Sequence, residues 1–429
     1  MRKYLLTKTM NKKINYVLFI VTCFIFMGCS SDDESTKTSY DYFGESTGSF
    51  DVTFTDQTVY FDSTELKDII SIDTVAHIYR FRQASSKAQE IQKGKILLIY
   101  GKLLRKVEKV TISGNEIIVE TVDATLNEAI SDGTIEWESY CGFAPENLVG
   151  IEMGKKVYSP TFQSNDTASF EIELNNITYV ISMKLNNSSA YVKLSASKKI
   201  ADAINATFTA EGTVSAFSSY NKIRYSNSEL MEYRNENRNL SGDLTLSLAA
   251  VASGTDNINY ELPFVILQVP YMVGPIPVFI RVKLQFVVNA VVPNLAASAN
   301  ASIKFTYNGT QTGFVIDKEN VVPKPQMKIG KYTISKNKAE VGAPSAIGVN
   351  FGIGFPRLEL GIFDKVAVPW IQTAFLIGVD YTSFPACRQT KASYIGACGY
   401  NFTFLGFKHS GTKTLWQLDT IIDKFGNCK

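Results

Sequence analysis

Histidine is nearly missing: His77 and His409 are the only two in 429 residues, and they lie far apart. A site built on several imidazoles is therefore excluded. A serine triad would need one of these two, and each is more simply read as structural. His77 falls in the strand-like run "DTVAHIYRF" and His409 stands beside a C-terminal turn. Net charge is scarce too. The 43 Lys+Arg are balanced by 41 Asp+Glu, so no global field draws in nucleic acid. Gly-x-Ser-x-Gly occurs once, at Gly44-Glu45-Ser46-Thr47-Gly48 in the polar tether, while His-Glu-x-x-His, the Walker loop and the EF-hand loop are absent. No catalytic residue, cofactor or metal is assigned from the sequence. Past the N-terminus, residues 262–280 carry no charge, but Pro263, Pro270, Pro275 and Pro277 would break any spanning helix there. Extended chain followed by a strand is expected instead. Arg281, Lys283 and Gln285 lie on one side of that strand and Val282, Leu284 and Phe286 on the other.

What the chain has in quantity is Phe (27), Tyr (21) and Gly (28), with abundant Val, Ile, Thr and Ser. That mixture suits strands and tight turns. "KILLIYGKLLRKVEKVTISGNEIIVETV" (95–122) reads as three strands, the last two joined at Ser113-Gly114-Asn115. "DATLNEAISDG" (123–133) reads as a short helix capped by Asp123 and ended by Gly133. "SFEIEL", "YVISMKL" and "AYVKLSAS" alternate as an antiparallel meander with one wet face. "KKIADAINA" (198–206) fits either a helical turn or a strand. The polar stretch 226–240 reads as a surface loop or a connection. The expected fold is all-β with a minor helix: antiparallel sheets forming a β-sandwich or an elongated curled sheet, with a small N-terminal β-rich domain. The expected segments are 1–28, 29–48, 49–145 (the small domain with one short helix) and 146–429 (the larger antiparallel domain).

The N-terminus is different in kind. Asn11-Lys12-Lys13 precedes an apolar run from Ile14 to Met27, a signal-peptide core too short for a membrane span. Either Met1 or Met10 could be the start. The run ends at Gly28-Cys29, which resembles a bacterial lipobox, although Phe26 and Met27 depart from its usual residues. The resemblance implies cleavage before Cys29 and acylation there, including palmitate, with each buried methylene supplying roughly 0.8 kcal/mol. Asp32-Asp33-Glu34 follows in a Ser/Thr/Asp-rich tether (29–48). It resembles the Bacteroidota signal that sends lipoproteins to the outer face of the outer membrane, so the membrane is the expected partner. The Asp-Ser/Thr sites at Ser63, Thr74, Thr167 and Thr420 resemble O-glycan attachment sites of the same bacteria.

Cys23 leaves with the signal and Cys29 takes the lipid, so Cys141, Cys387, Cys398 and Cys428 remain for an oxidising compartment. Cys387 with Cys398 is the favoured pair, across an apparent short loop, leaving Cys141 with Cys428. "GKLLRKVEKVTISGNEIIVETVDATLNEAISDG" (101–133) and "VGPIPVFIRVKLQF" (273–286) resemble stretches of secreted bacterial β-rich proteins. The resemblance implies a secreted β architecture and no catalysis.

Glu136 and Glu138 flank Trp137 and should share one strand face, about 6–7 Å apart. Such a pair beside an aromatic could serve a glycosidase; two solvated acids over a buried Trp137 is the simpler reading. Trp137 and Trp416 are candidate sugar-stacking platforms, while the apolar surroundings of Trp370 suggest core. The expected function is a non-catalytic cell-surface lipoprotein for binding, adhesion or envelope structure, its partner a glycan or another surface protein. The alternatives are a glycan-binding accessory of a polysaccharide uptake system and a secreted glycoside hydrolase using Glu136 and Glu138. The polar terminus "KFGNCK" and the lipidation site weigh against an outer-membrane barrel.

Overall fold

The structure, a computed structural model, describes residues 47–428 apart from 154–155, 160, 164–166, 175, 202–203, 251–255, 260–263, 293–296, 307–311, 318–319, 326–348, 364, 384–385 and 409. The signal segment, Cys29 and the tether up to residue 46 lie outside that set. Thr47 and Gly48, the last tether residues, already belong to the first strand (Thr47–Phe54).

The body is all-β, built from antiparallel sheets. A six-stranded sheet comes from the N-terminal region, in the order Thr58–Phe61, Ile96–Ile99, Leu103–Ser113, Glu116–Asp123, Ile78–Arg82, Ile69–Asp73. Its first two strands pair in parallel; the chain between them crosses over through a hairpin and two short 3-10 turns. Phe61, Phe81, Leu97, Ile99, Val107 and Val119 form its core. The three strands and the hairpin expected across 95–122 are present.

A seven-stranded sheet carries the meander Thr167–Leu174, Ile177–Asn186, Ser189–Ala201. Burial alternates residue by residue along Ile177–Asn186, so one face meets the core and the other meets water. Residues 198–201 and 204–206 are strand, which decides the ambiguous stretch. A nine-stranded sheet includes Phe264–Val273 and Ile276–Val292, a hairpin turning at Gly274-Pro275. It continues through Val349–Ile362, Lys365–Ser383, Ala386–Asn401 and Ser410–Gly426.

The four-stranded sheet matters most here. Its order is Thr47–Phe54, Ile130–Cys141, Phe217–Ser226, Glu229–Arg238. Its first two strands come from the stretch read as a small domain and its last two from the larger one, so a boundary at 145 cuts through a hydrogen-bonded sheet.

Two local readings are corrected. The helix expected over 123–133 is only Leu126–Ala129, and Thr125 rather than Asp123 precedes it. Ile130 onward pairs with Thr47–Phe54, so the ladder takes over where the helical pattern would have continued. The second correction concerns 226–240. It is no loop: Glu229–Arg238 is a strand, with Leu230 and Tyr233 in the core. Its many polar residues hid the alternation because they satisfy one another.

Candidate functional site

The motif residues of 101–133 turn out to hold the fold together. Buried Arg105 binds the Thr121 hydroxyl at 3.2 Å and pairs with Asp123. Lys106 reaches Glu128 at 2.8 Å. Glu128 also accepts the Thr125 N–H at 2.9 Å, the reciprocal half of a capping box. Burial opposes ionisation of Glu128, but the hydrogen bonds from Lys106 and Thr125 outweigh it and hold the carboxyl below the usual glutamate range.

The cysteines do not pair as expected. The bridge joins Cys387 to Cys428, with Cα atoms 4.9 Å apart, and Cys141 and Cys398 remain buried thiols outside it. The supposed loop 387–398 belongs to one extended strand, Ala386–Asn401. Eleven residues at about 3.3 Å each separate its two cysteines by roughly 36 Å, far beyond bridging distance. Cys428 therefore cannot serve Cys141.

The inner face of the four-stranded sheet carries Ile135, Trp137, Ser139 and Cys141, then Phe217, Ser219, Asn221 and Ile223, then Tyr233, Asn235 and Asn237. A ladder of amides runs across it. Asn237 donates to Asn235 (3.3 Å), Asn235 to Asn221 (2.6 Å) and Asn221 to the Ser219 hydroxyl (3.2 Å). Trp137 is 1% exposed, so it is core and cannot stack a sugar. Burial pushes the nearby Tyr271 hydroxyl well up, and Cys141 and Tyr233 push the same way against Ser139 and Trp137.

The outer face is half-exposed and densely ion-paired. Glu136, Lys222 and Arg234 lie in one cross-strand row, and Glu138, Tyr220 and Glu236 in the next. Tyr220 donates its hydroxyl to Glu136 at 2.9 Å. Arg238 reaches Glu138 at 3.2 Å and Glu236 at 3.0 Å, and Arg234 pairs with Glu236 as well. Both guanidiniums lie over the Tyr220 ring, 5.1 and 5.6 Å from its centroid. Burial, then the Glu136 carboxylate, push the Tyr220 hydroxyl up to about 12. The hydrogen bond to Glu236 raises Arg238 further. Glu136 and Glu138 do share a face, as the alternation rule requires, but each already has a partner. Tyr140, at the end of the same strand face, is 60% exposed.

The other sequence candidates scatter. His77 stands exposed in a tight turn with φ 56°, not in a strand; His409 lies outside the described residues. Trp416 lies on Ser410–Gly426 opposite Gly396 and Trp370 opposite Glu359, and their side chains lie outside the described set. Ser63 and Thr74 stand in exposed turns fastened by Asp62 and Asp73 carboxylates. Thr167 and Thr420 are half-buried on strands. Among the described residues no cluster of His, Cys, Asp and Glu has metal-site geometry, and no helix is long and apolar enough to cross a membrane.

Sequence reading missed Tyr140, Tyr220, Asn221, Arg234, Asn235, Glu236 and Arg238. The available signal was the period-two spacing of Tyr233, Asn235 and Asn237 inside a stretch taken for a loop. Fold and site together define an all-β protein with a polar, charge-paired sheet face. Comparison with known families, curated proteins and solved structures found no match.

Proposed function

We propose that this chain is a non-catalytic lipoprotein, anchored through Cys29 at the outer face of the outer membrane. Its β body serves as a binding module, and the outer face of the four-stranded sheet is its contact surface. The observation that carries the non-catalytic reading is the state of the acid pair. Glu136 is hydrogen-bonded by Tyr220 and Glu138 is paired with Arg238, an interlocked network that suits a rigid recognition surface. A hydrolase would need one of these acids to be a proton donor and the other a base or nucleophile. The Gly28-Cys29 junction and the acidic residues behind it support the address.

Labelling with radioactive palmitate tests the anchor. Label on the wild type and none on Cys29→Ala is expected, together with protease sensitivity of the body on intact cells. Unchanged labelling of Cys29→Ala would refute the anchor. Glycan hydrolysis by the wild type that is lost in Glu136→Gln or Glu138→Gln would refute the non-catalytic reading.

A second reading, a glycan-binding accessory, is favoured by one observation. Exposed Tyr140 sits diagonal to Tyr220, because Ser218 is opposite Tyr140 and Glu138 is opposite Tyr220. Such diagonal neighbours lie about 7–8 Å apart on one face.

A further inference from the structure

Tyr140 is exposed but tethered. Tyr140 donates its hydroxyl to the Asn187 carbonyl at 3.0 Å, in the hairpin between Ile177–Asn186 and Ser189–Ala201. A Cβ at Gly142 would come within 3.2 Å of the Tyr140 ring and 2.9 Å of the Asn187 oxygen, so the ring lies directly against backbone there. The hairpin is itself fixed. Asn186 accepts the Ser188 and Ser189 N–H groups at 2.9 and 2.8 Å, and Ala216 N–H reaches the Ser188 carbonyl at 2.8 Å. The ring is therefore held before any ligand arrives and gives up little rotational freedom on contact, the condition under which an exposed aromatic adds most to affinity.

The surroundings set the ligand's charge. Across the strand from Tyr140 come Ser218 and then Arg238. Beside them Glu138 and Glu236 are matched by Arg238 and Arg234. Two acids and two guanidiniums balance, leaving no net charge to favour an ionised ligand; Glu236 is buried, while the more exposed Glu138 and Arg238 offer an acceptor and donors next to an apolar ring. A flat C–H face bordered by hydroxyls matches that pattern.

We propose that Tyr140 is the stacking platform of a binding site for a pyranose ring of a neutral glycan, with Glu138 and Arg238 taking its hydroxyls. The proposal rests on the binding-module reading and gives it a ligand class.

The test is affinity electrophoresis of the full-length protein in detergent, through gels containing an α-glucan, a β-glucan, a mannan, a galactan or, as the charged comparison, polygalacturonate. Retardation by at least one neutral polysaccharide is expected. Tyr140→Ala should weaken it at least tenfold. Tyr140→Phe, which keeps the ring and loses the tether, should weaken it by about threefold. Val180→Ala, exposed on the seven-stranded sheet, should leave it unchanged. Wild-type affinity in Tyr140→Ala would overturn the site while leaving the module reading intact. Retardation by polygalacturonate alone, or by none of the five, would overturn the ligand class; the palmitate and protease experiments judge the anchored-module reading separately.

Discussion

Removing the Cys387–Cys428 bridge is the most quantitative perturbation. It closes a loop with a sequence separation of 41 residues. In the chain-entropy account, a loop of that length costs the unfolded chain about 13 cal/mol/K, or about 4 kcal/mol at 25 °C. The bridge also fastens the last strand, Ser410–Gly426, to Ala386–Asn401 beside the C-terminus, where strands otherwise fray. Cys387→Ala, Cys428→Ala and the double variant should each lose about 4 kcal/mol in equilibrium urea unfolding. The double should be no worse than either single, because one bond is being removed. Non-reducing peptide mapping should recover one cross-linked pair containing residues 387 and 428. Cys398→Ala should keep that cross-link and show only the smaller loss of a trimmed core side chain. A cross-link that survives Cys428→Ala and disappears in Cys398→Ala would refute the reasoning, as would strictly additive losses in the double variant.

The charged clasp and the turns give further tests. Glu128→Gln keeps the capping hydrogen bond and loses the ion pair with Lys106, so it should cost up to about 1 kcal/mol, read by urea unfolding at pH 7. The folded Glu128 carboxyl is held low, so its contribution is complete above the ordinary glutamate range and is lost as pH falls through the folded value. The difference between Glu128→Gln and wild type should therefore shrink in acid, and a constant difference from pH 7 to pH 3 would count against the clasp. Gly274 and Gly114 share nearly the same φ, 58° and 59°, in different surroundings. A Cβ on Gly274 would meet the Phe50 ring at 2.5 Å, whereas Gly114 has nothing within 4 Å. Gly114→Ala should lose about 1 kcal/mol from the left-handed backbone alone. Gly274→Ala should lose about 1–3 kcal/mol more through overpacking, and equal losses in calorimetry or urea would refute the steric argument.

Period-two alternation made the all-β fold legible, most clearly in 169–197, where one sheet face is wet and one dry, whereas Ile96–Ile99 is buried on both faces. Ser113-Gly114-Asn115 was legible as a turn, since few other residues accept that conformation. The strand Glu229–Arg238 was not. Asn235, Glu236 and Asn237 are all buried, Asn235 against Asn221 and Glu236 between Arg234 and Arg238, and a burial pattern read from hydrophobicity cannot see polar side chains that satisfy one another. For the same reason Glu136 and Glu138 could be placed on one face but not matched with Tyr220 and Arg238, which follow them by 84 and 100 residues.

The amino-acid order by itself determined most of the strands, their inward and outward faces and the Ser113-Gly114-Asn115 turn, because each depends on neighbours one to four residues away. Tertiary structure alone decided that Cys428 meets Cys387, that an N-terminal and a later pair of strands share one sheet, and that the Tyr140 ring is fixed by the Asn187 carbonyl. Those depend on which distant strands lie side by side, and a ladder accepts any partner whose faces match until the whole core is packed.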